Sequence, residues 1–209
     1  MIAKCGRVRK WHWSHKPRPS CDPWWQPESE WHRNWKNQFP EDWQEVVHFD
    51  PQSGEKHIAD IKTPVGLVIE FQHSPIDFVE ARKRELFYKN MIWVVDGDGG
   101  SLNPQIFQLG MHAIVDFQPE VYCVKWWGRS KLLQKWAETT KPVYIDFGRI
   151  YLWRFWGYSP EENAGYFSRL ERAWLVDACK SNSEILVSHI SPEDEMRMLK
   201  KERVNRPST

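Results

Sequence analysis

The sequence predicts an α/β fold with a mixed central sheet. Three observations predict it. "QEVVHF", "EKHIADIKT" and "GLVIEFQHS" are β-rich runs separated by the turn signals "DPQSG" and "PVG". "SPIDFVEARKRELFYKN" then reads as a helix, and "MIWVV" as a short apolar strand closed by "DGDGG". Strand, helix and apolar strand in that order imply a crossover connection and hence parallel pairing within the sheet.

Each element has a local justification. "ESEWHRNWKNQF" forms a helix that must stop before Pro40, with His32 and Lys36 on one face at i, i+4. The following strands are bounded by Pro, Gly, Asn and Asp, which favour turns. In "SPIDFVEARKRELFYKN", Ser74 is placed to cap, Pro75 suits the first helical position, and Asp77 lies three residues after the cap. Residues 1–27 are polar, Pro- and Trp-rich and aperiodic, so they form an irregular segment. Residues 28–100 form the compact α/β unit. Residues 101–209 read as an α+β extension: "KPVYIDFGRIYLWRF" as a hairpin, "NAGYFSRLERAWLVDACK" as a helix, and a frayed tail after Ser191.

Composition sets bounds on function. A chain of 209 residues with net charge +1 carries no global basic field. The charge is uneven, with eight Lys/Arg against three Asp/Glu in residues 1–40, a local excess that suits phosphate contact. Seven of the fourteen tryptophans precede residue 44; core filling is their ordinary role and base stacking the sharper one. Cys5, Cys21, Cys123 and Cys179 are scattered without a C-x-x-C, which argues against a disulfide framework and for a reducing, cytoplasmic setting. No apolar leader or membrane-length run is present in the sequence.

One residue sits oddly. Glu70 lies inside "LVIEF", where an ionised carboxylate is costly to bury uncompensated. Residues two apart on a strand share a face, so Glu70 and Gln72 point together. If "PVG" is a three-residue hairpin loop, residue 60 stands opposite residue 70, and their Cβ atoms lie about 5 Å apart. If "DPQSGE" closes the preceding hairpin, Glu45 stands opposite Asp60. Two carboxylates that close repel unless a proton or cation lies between them, and Mg²⁺ or Mn²⁺ suits such oxygen ligands. The competing reading makes both acids ordinary strand charges paired with lysine or arginine.

These residues carry a resemblance. "GEKHIADIKTPVGLVIEFQHSPID" followed by "ARKRELFYKNMIWVVDG" resembles the nuclease core of the competence protein CoiA-like family, within the PD-(D/E)xK, restriction-endonuclease-like superfamily. The matching pieces are Ala59-Asp60, Gly66, Ile69-Glu70-Phe71-Gln72-His73-Ser74, Arg84 to Tyr88, and Ile92-Trp93. "HWSH" and "ESEWHRNWK" resemble that family's His-rich N-terminal module and the helix after it, so the likeness spans residues 5–97.

The resemblance implies a restriction-endonuclease-like core and a metal-dependent nuclease acting on DNA. Asp60 and Glu70 would be the metal ligands, Gln72 would position the attacking water, and Glu45 would be a further catalytic acid. His32, Lys36, His57 and Arg84 are the candidates for substrate contact at the phosphate or for orienting the acids, with packing at the strand edge the ordinary role of His57. Gln72 stands where the superfamily usually has lysine, so it would act by hydrogen bonding alone. Cys5, His12, His15 and Cys21 form a C-x6-H-x2-H-x5-C pattern, four candidate zinc ligands with unusual spacing. Two other classes stay open: a nuclease-fold DNA- or partner-binding module without catalysis, and a small-molecule hydrolase or zinc protein carried by the N-terminal Cys/His cluster.

Overall fold

A computed structural model of the chain describes residues 24, 28–51, 53–98, 121–125 and 136–181, together with the backbone of 2–4, 12–14 and 111–114. The short strands β1 (Ile2–Lys4) and β2 (His12–Ser14) pair antiparallel with each other. All other strands join one nine-stranded sheet: β3 (Gln44–Phe49), β4 (Lys56–Lys62), β5 (Val68–Gln72), β6 (Met91–Asp96), β7 (Met111–Ile114), β8 (Val121–Lys125), β9 (Val143–Asp146), β10 (Tyr151–Ser159) and β11 (Ala164–Glu171). The spatial order is β3-β4-β5-β6-β9-β10-β11-β8-β7. β5, β6 and β9 run parallel and the remaining neighbours antiparallel, so the sheet is mixed as expected.

Three helices cover this sheet among the described residues. α1 (Glu30–Lys36) is capped by Ser29, whose hydroxyl accepts from the His32 amide at 3.2 Å. α2 (Phe78–Tyr88) begins later than the sequence suggests: Asp77, not Ser74, is its cap and accepts from the Glu80 amide at 3.0 Å. Asp77 competes well because a charged acceptor binds the exposed amides of a helix start more strongly than a hydroxyl does. α3 (Arg172–Lys180) accounts for only the second half of the helix expected over residues 163–180. The first half is β11, held on both sides by β10 and β8, so tertiary pairing overrides the helical period. The tail after Ser191 lies outside the described residues.

Two apolar layers flank the sheet. One packs α2 residues Ala81 and Tyr88 over Ala59, Val68, Trp93, Val143 and Ile145. The other packs Trp35 and Phe39, from α1 and just beyond it, together with α3 residues Leu175 and Val176, over Ile61, Ile69, Phe71, Ile92 and Tyr144. Both layers draw on strands either side of residue 100, so that expected boundary falls inside a continuous sheet. No helix among the described residues is long and apolar enough to cross a membrane.

Candidate functional site at the β4–β5 seam

β4 and β5 pair through Ile61↔Ile69 and Lys62↔Val68, a register that sets Asp60 against Glu70. The regular ladder ends there, and the two carboxylates replace it. Asp60 Oδ2 accepts from the Phe71 amide at 2.9 Å, and Glu70 Oε1 accepts from the Asp60 amide at 3.4 Å. The alternation of faces also breaks at Asp60: Ala59 packs in the layer under α2, whereas Ile61 packs in the layer under α1.

The acids are then held by side chains from opposite layers. Glu70 Oε2 accepts from Arg84 Nη1 of α2 at 2.8 Å, and Arg84 also reaches Glu80 and, at 3.0 Å, the Trp24 carbonyl. Asp60 Oδ1 lies 2.9 Å from His32 Nε2 of α1, a polar contact off the axis of a hydrogen bond. Glu70 is 3 % exposed, so its environment governs its protonation. Burial and then Asp60 push its pKa up to about 8, against the opposing pull of Arg84. Burial acts to lower the Arg84 pKa, but Glu70 and Glu80 outweigh it and leave the guanidinium more basic than usual.

Glu45 stands opposite Asp60, between the pairs Gln44↔Ile61 and Val46↔Ala59. Its backbone has φ +52°, and its carboxylate leaves the seam to accept from Lys36 Nζ at 2.7 Å. Lys36 is held on its other side by Glu28. Burial would lower the Lys36 pKa, but these two acids raise it overall. Gln72 is buried, and its amide donates to the Ser74 carbonyl at 2.5 Å. His57 is buried under Trp24, ring centroids 3.3 Å apart, with Phe87 against its edge.

The seam therefore gathers Asp60, Glu70, His32 and Arg84, while Glu45 and Lys36 form an adjoining ion pair. His57 belongs to an aromatic stack. His32, Lys36, His57 and Arg84, the four expected substrate contacts, are all buried. Cys5, His15 and Cys21 lie outside the described residues, and of His12 only the backbone, in β2, is described.

No group of three His, Cys, Asp or Glu able to hold a metal ion occurs among the described residues. Mg²⁺ needs only one or two carboxylates, because it keeps several of its waters. Asp60 and Glu70, set against each other by the β4–β5 register, supply that pair. The donor chemistry fits a hard divalent cation. No family model, curated protein or solved structure matches the chain.

Sequence reasoning passed over two further carboxylates. Asp146 is fully buried and accepts from the indoles of Trp31 and Trp35 at 2.9 and 2.8 Å, from the Gly148 amide at 2.8 Å and from Arg172. Asp96 accepts from, or shares a proton with, His73 Nδ1 at 2.6 Å. Both end an apolar strand, "VYID" and "MIWVVD", so the signal that singled out Glu70 was present in each.

Proposed function

We propose that the chain is a metal-dependent phosphodiesterase, with Asp60 and Glu70 as the ligands of Mg²⁺ or Mn²⁺. One observation carries this reading: the β4–β5 register sets the carboxylates of Asp60 and Glu70 against each other, with Glu70 buried. Two carboxylates that close repel unless a proton or a cation lies between them, and a divalent cation can take the proton's place. DNA as the substrate rests on the resemblance of residues 54–97 to the CoiA-like nuclease core.

Bound there, the cation would supply charge stabilisation at the scissile phosphate and acidify a water. The chain's own residues do the rest. His32 holds the carboxylate of Asp60 from the α1 side, and Arg84 holds that of Glu70 from the α2 side. Gln72 borders the seam on β5, tethered through Ser74, and would orient a polar group by hydrogen bonding.

The engagement of each acid by its own basic side chain favours a second reading: a nuclease-like scaffold whose seam contacts only hold α1 and α2 to the sheet. Incubation of the protein with linear and circular DNA in Mg²⁺, Mn²⁺ or EDTA separates the two. Cleavage in either metal, abolished by EDTA and by Asp60→Asn, is the expected result. Metal-independent cleavage removes the metal site, and no cleavage by a folded protein removes the phosphodiesterase reading.

A further inference from the structure

Where β5 and β6 end side by side, His73 and Asp96 meet. Ligands in sheets with parallel strands bind outside the carboxyl ends of those strands. His73 Nδ1 lies 2.6 Å from Asp96 Oδ2; the aspartate side chain is 7 % exposed and the histidine side chain 42 %. The carboxylate is further fixed, because Oδ1 accepts from the Asp98 amide at 2.9 Å. The turn behind it is tightly packed: a Cβ on Gly97 would come within 2.5 Å of the Phe147 ring. A buried, immobilised carboxylate bound to Nδ1 sets the tautomer of an imidazole and turns Nε2 outward.

One indole links this dyad to the seam. Trp31 of α1 has its ring centroid 6.2 Å from that of His73 and 6.4 Å from that of His32. His32 in turn contacts Asp60. Two histidine–aspartate pairs thus flank one indole, which Asp146 holds in place. His32 is buried and engaged with its acid, whereas His73 presents its ring to solvent.

We propose that His73 is the general acid of the phosphodiester hydrolysis, with Asp96 as its positioning residue; this rests on the phosphodiesterase reading above. In the step, a water oxygen forms a bond to phosphorus and the bond to one bridging oxygen breaks, leaving its electron pair on that oxygen. The Nε2 proton of the His73 imidazolium passes to the departing oxygen. The attacking water loses its proton to solvent, and Nε2 takes up another from solvent before the next turnover.

The test compares DNA with oligonucleotides carrying sulfur at the 3′ or the 5′ bridging position, because a thiolate leaves without protonation. His73→Gln should slow cleavage of ordinary DNA by about 10²-fold or more, the usual scale of general acid catalysis. On one of the two sulfur series the loss should shrink to less than about tenfold, which also identifies the departing oxygen. Asp96→Asn should follow the same pattern, because the amide can stabilise the wrong tautomer. Equal losses on oxygen and sulfur links, or no loss on either, overturn the assignment. A wild type inactive on all DNA removes the phosphodiesterase reading and this role with it. Nitrogen-detected NMR of the full chain without DNA gives a readout that needs no activity: the His73 proton should reside on Nδ1 in the neutral wild-type ring and redistribute in Asp96→Asn. A neutral His73 carrying its proton on Nε2 in the wild type also overturns the assignment.

Discussion

Glu70 is caught between three influences, and their balance has a consequence for stability. Burial and Asp60 favour its protonated form, and Arg84 favours the ionised one; the first two prevail, so its pKa rises from 4.5 to about 8. Between those values the folded chain binds more protons at this site than the unfolded chain. Stability from this group is therefore complete below about pH 4.5 and is lost as pH climbs through about 8. Glu70→Gln removes the titration. Its stability relative to wild type should rise from pH 5 to about pH 8, by up to about 1.4 kcal/mol per pH unit, and level off above that, with the melting temperature following. Thermal unfolding at a series of pH values measures this, and a pH-independent difference would count against it. Added Mg²⁺ should flatten the wild-type decline by pairing with the ionised carboxylate, and should leave Glu70→Gln unchanged. A wild-type decline indifferent to Mg²⁺ would favour the charge-paired scaffold instead.

At the scale of elements, Asp146 does for α1 what Arg84 does for Glu70. Its Oδ2 accepts from both Trp31 and Trp35, one turn apart on α1, and its Oδ1 from Arg172 at the start of α3. One carboxylate at the end of β9 thereby fixes the helix that delivers His32 to Asp60 and Trp31 to His73. Asp146→Ala leaves four donors without their acceptor and should cost about 3 kcal/mol or more, as breaking a buried charge pair does. Trp35→Phe keeps most of the ring volume and deletes one hydrogen bond, so it should cost about 1 kcal/mol. Urea unfolding of the two variants reads both values; equal, small losses would show that packing alone holds α1.

The pairing of strands near the seam was legible in sequence because "PVG" and the strand lengths fix the register that sets Asp60 against Glu70. The change of face at Asp60 was not, since it accompanies a left-handed backbone at Glu45 that no residue type there announces. Nor was the Trp31–Asp146 bond, which joins residues 115 apart. The helical period in "SRLERAWLVDACK" runs back into β11, so the sequence alone favours a helix where the strand forms.

The whole molecule is organised by a sheet that ignores the division suggested by composition. β6 lies between β5 and β9, so the strand that ends residues 28–100 is central rather than marginal. On its β9 side, Trp93 donates its amide to the Pro142 carbonyl at 2.9 Å, and Gly97 donates to Asp146 at 2.8 Å. Its side chains fill both layers together with Val143, Tyr144 and Ile145. Glu85 of α2, 2 % exposed, accepts from the Thr140 amide and hydroxyl at 3.1 and 2.8 Å, besides Trp93 and Arg82 at 3.2 and 3.3 Å. A fragment of residues 28–100 would carry the seam but lose every contact to residues 140–146 at once. It would expose one edge of β6, strip apolar cover from Trp93 and Val94, and remove two donors from a buried carboxylate, each a recognised source of destabilisation. The fragment should lack a cooperative thermal transition, and the amides of Met91–Asp96 should exchange rapidly in it while remaining protected in the full chain. Hydrogen exchange on both species checks this; a sharp two-state melt of the fragment would show that the seam folds without β9.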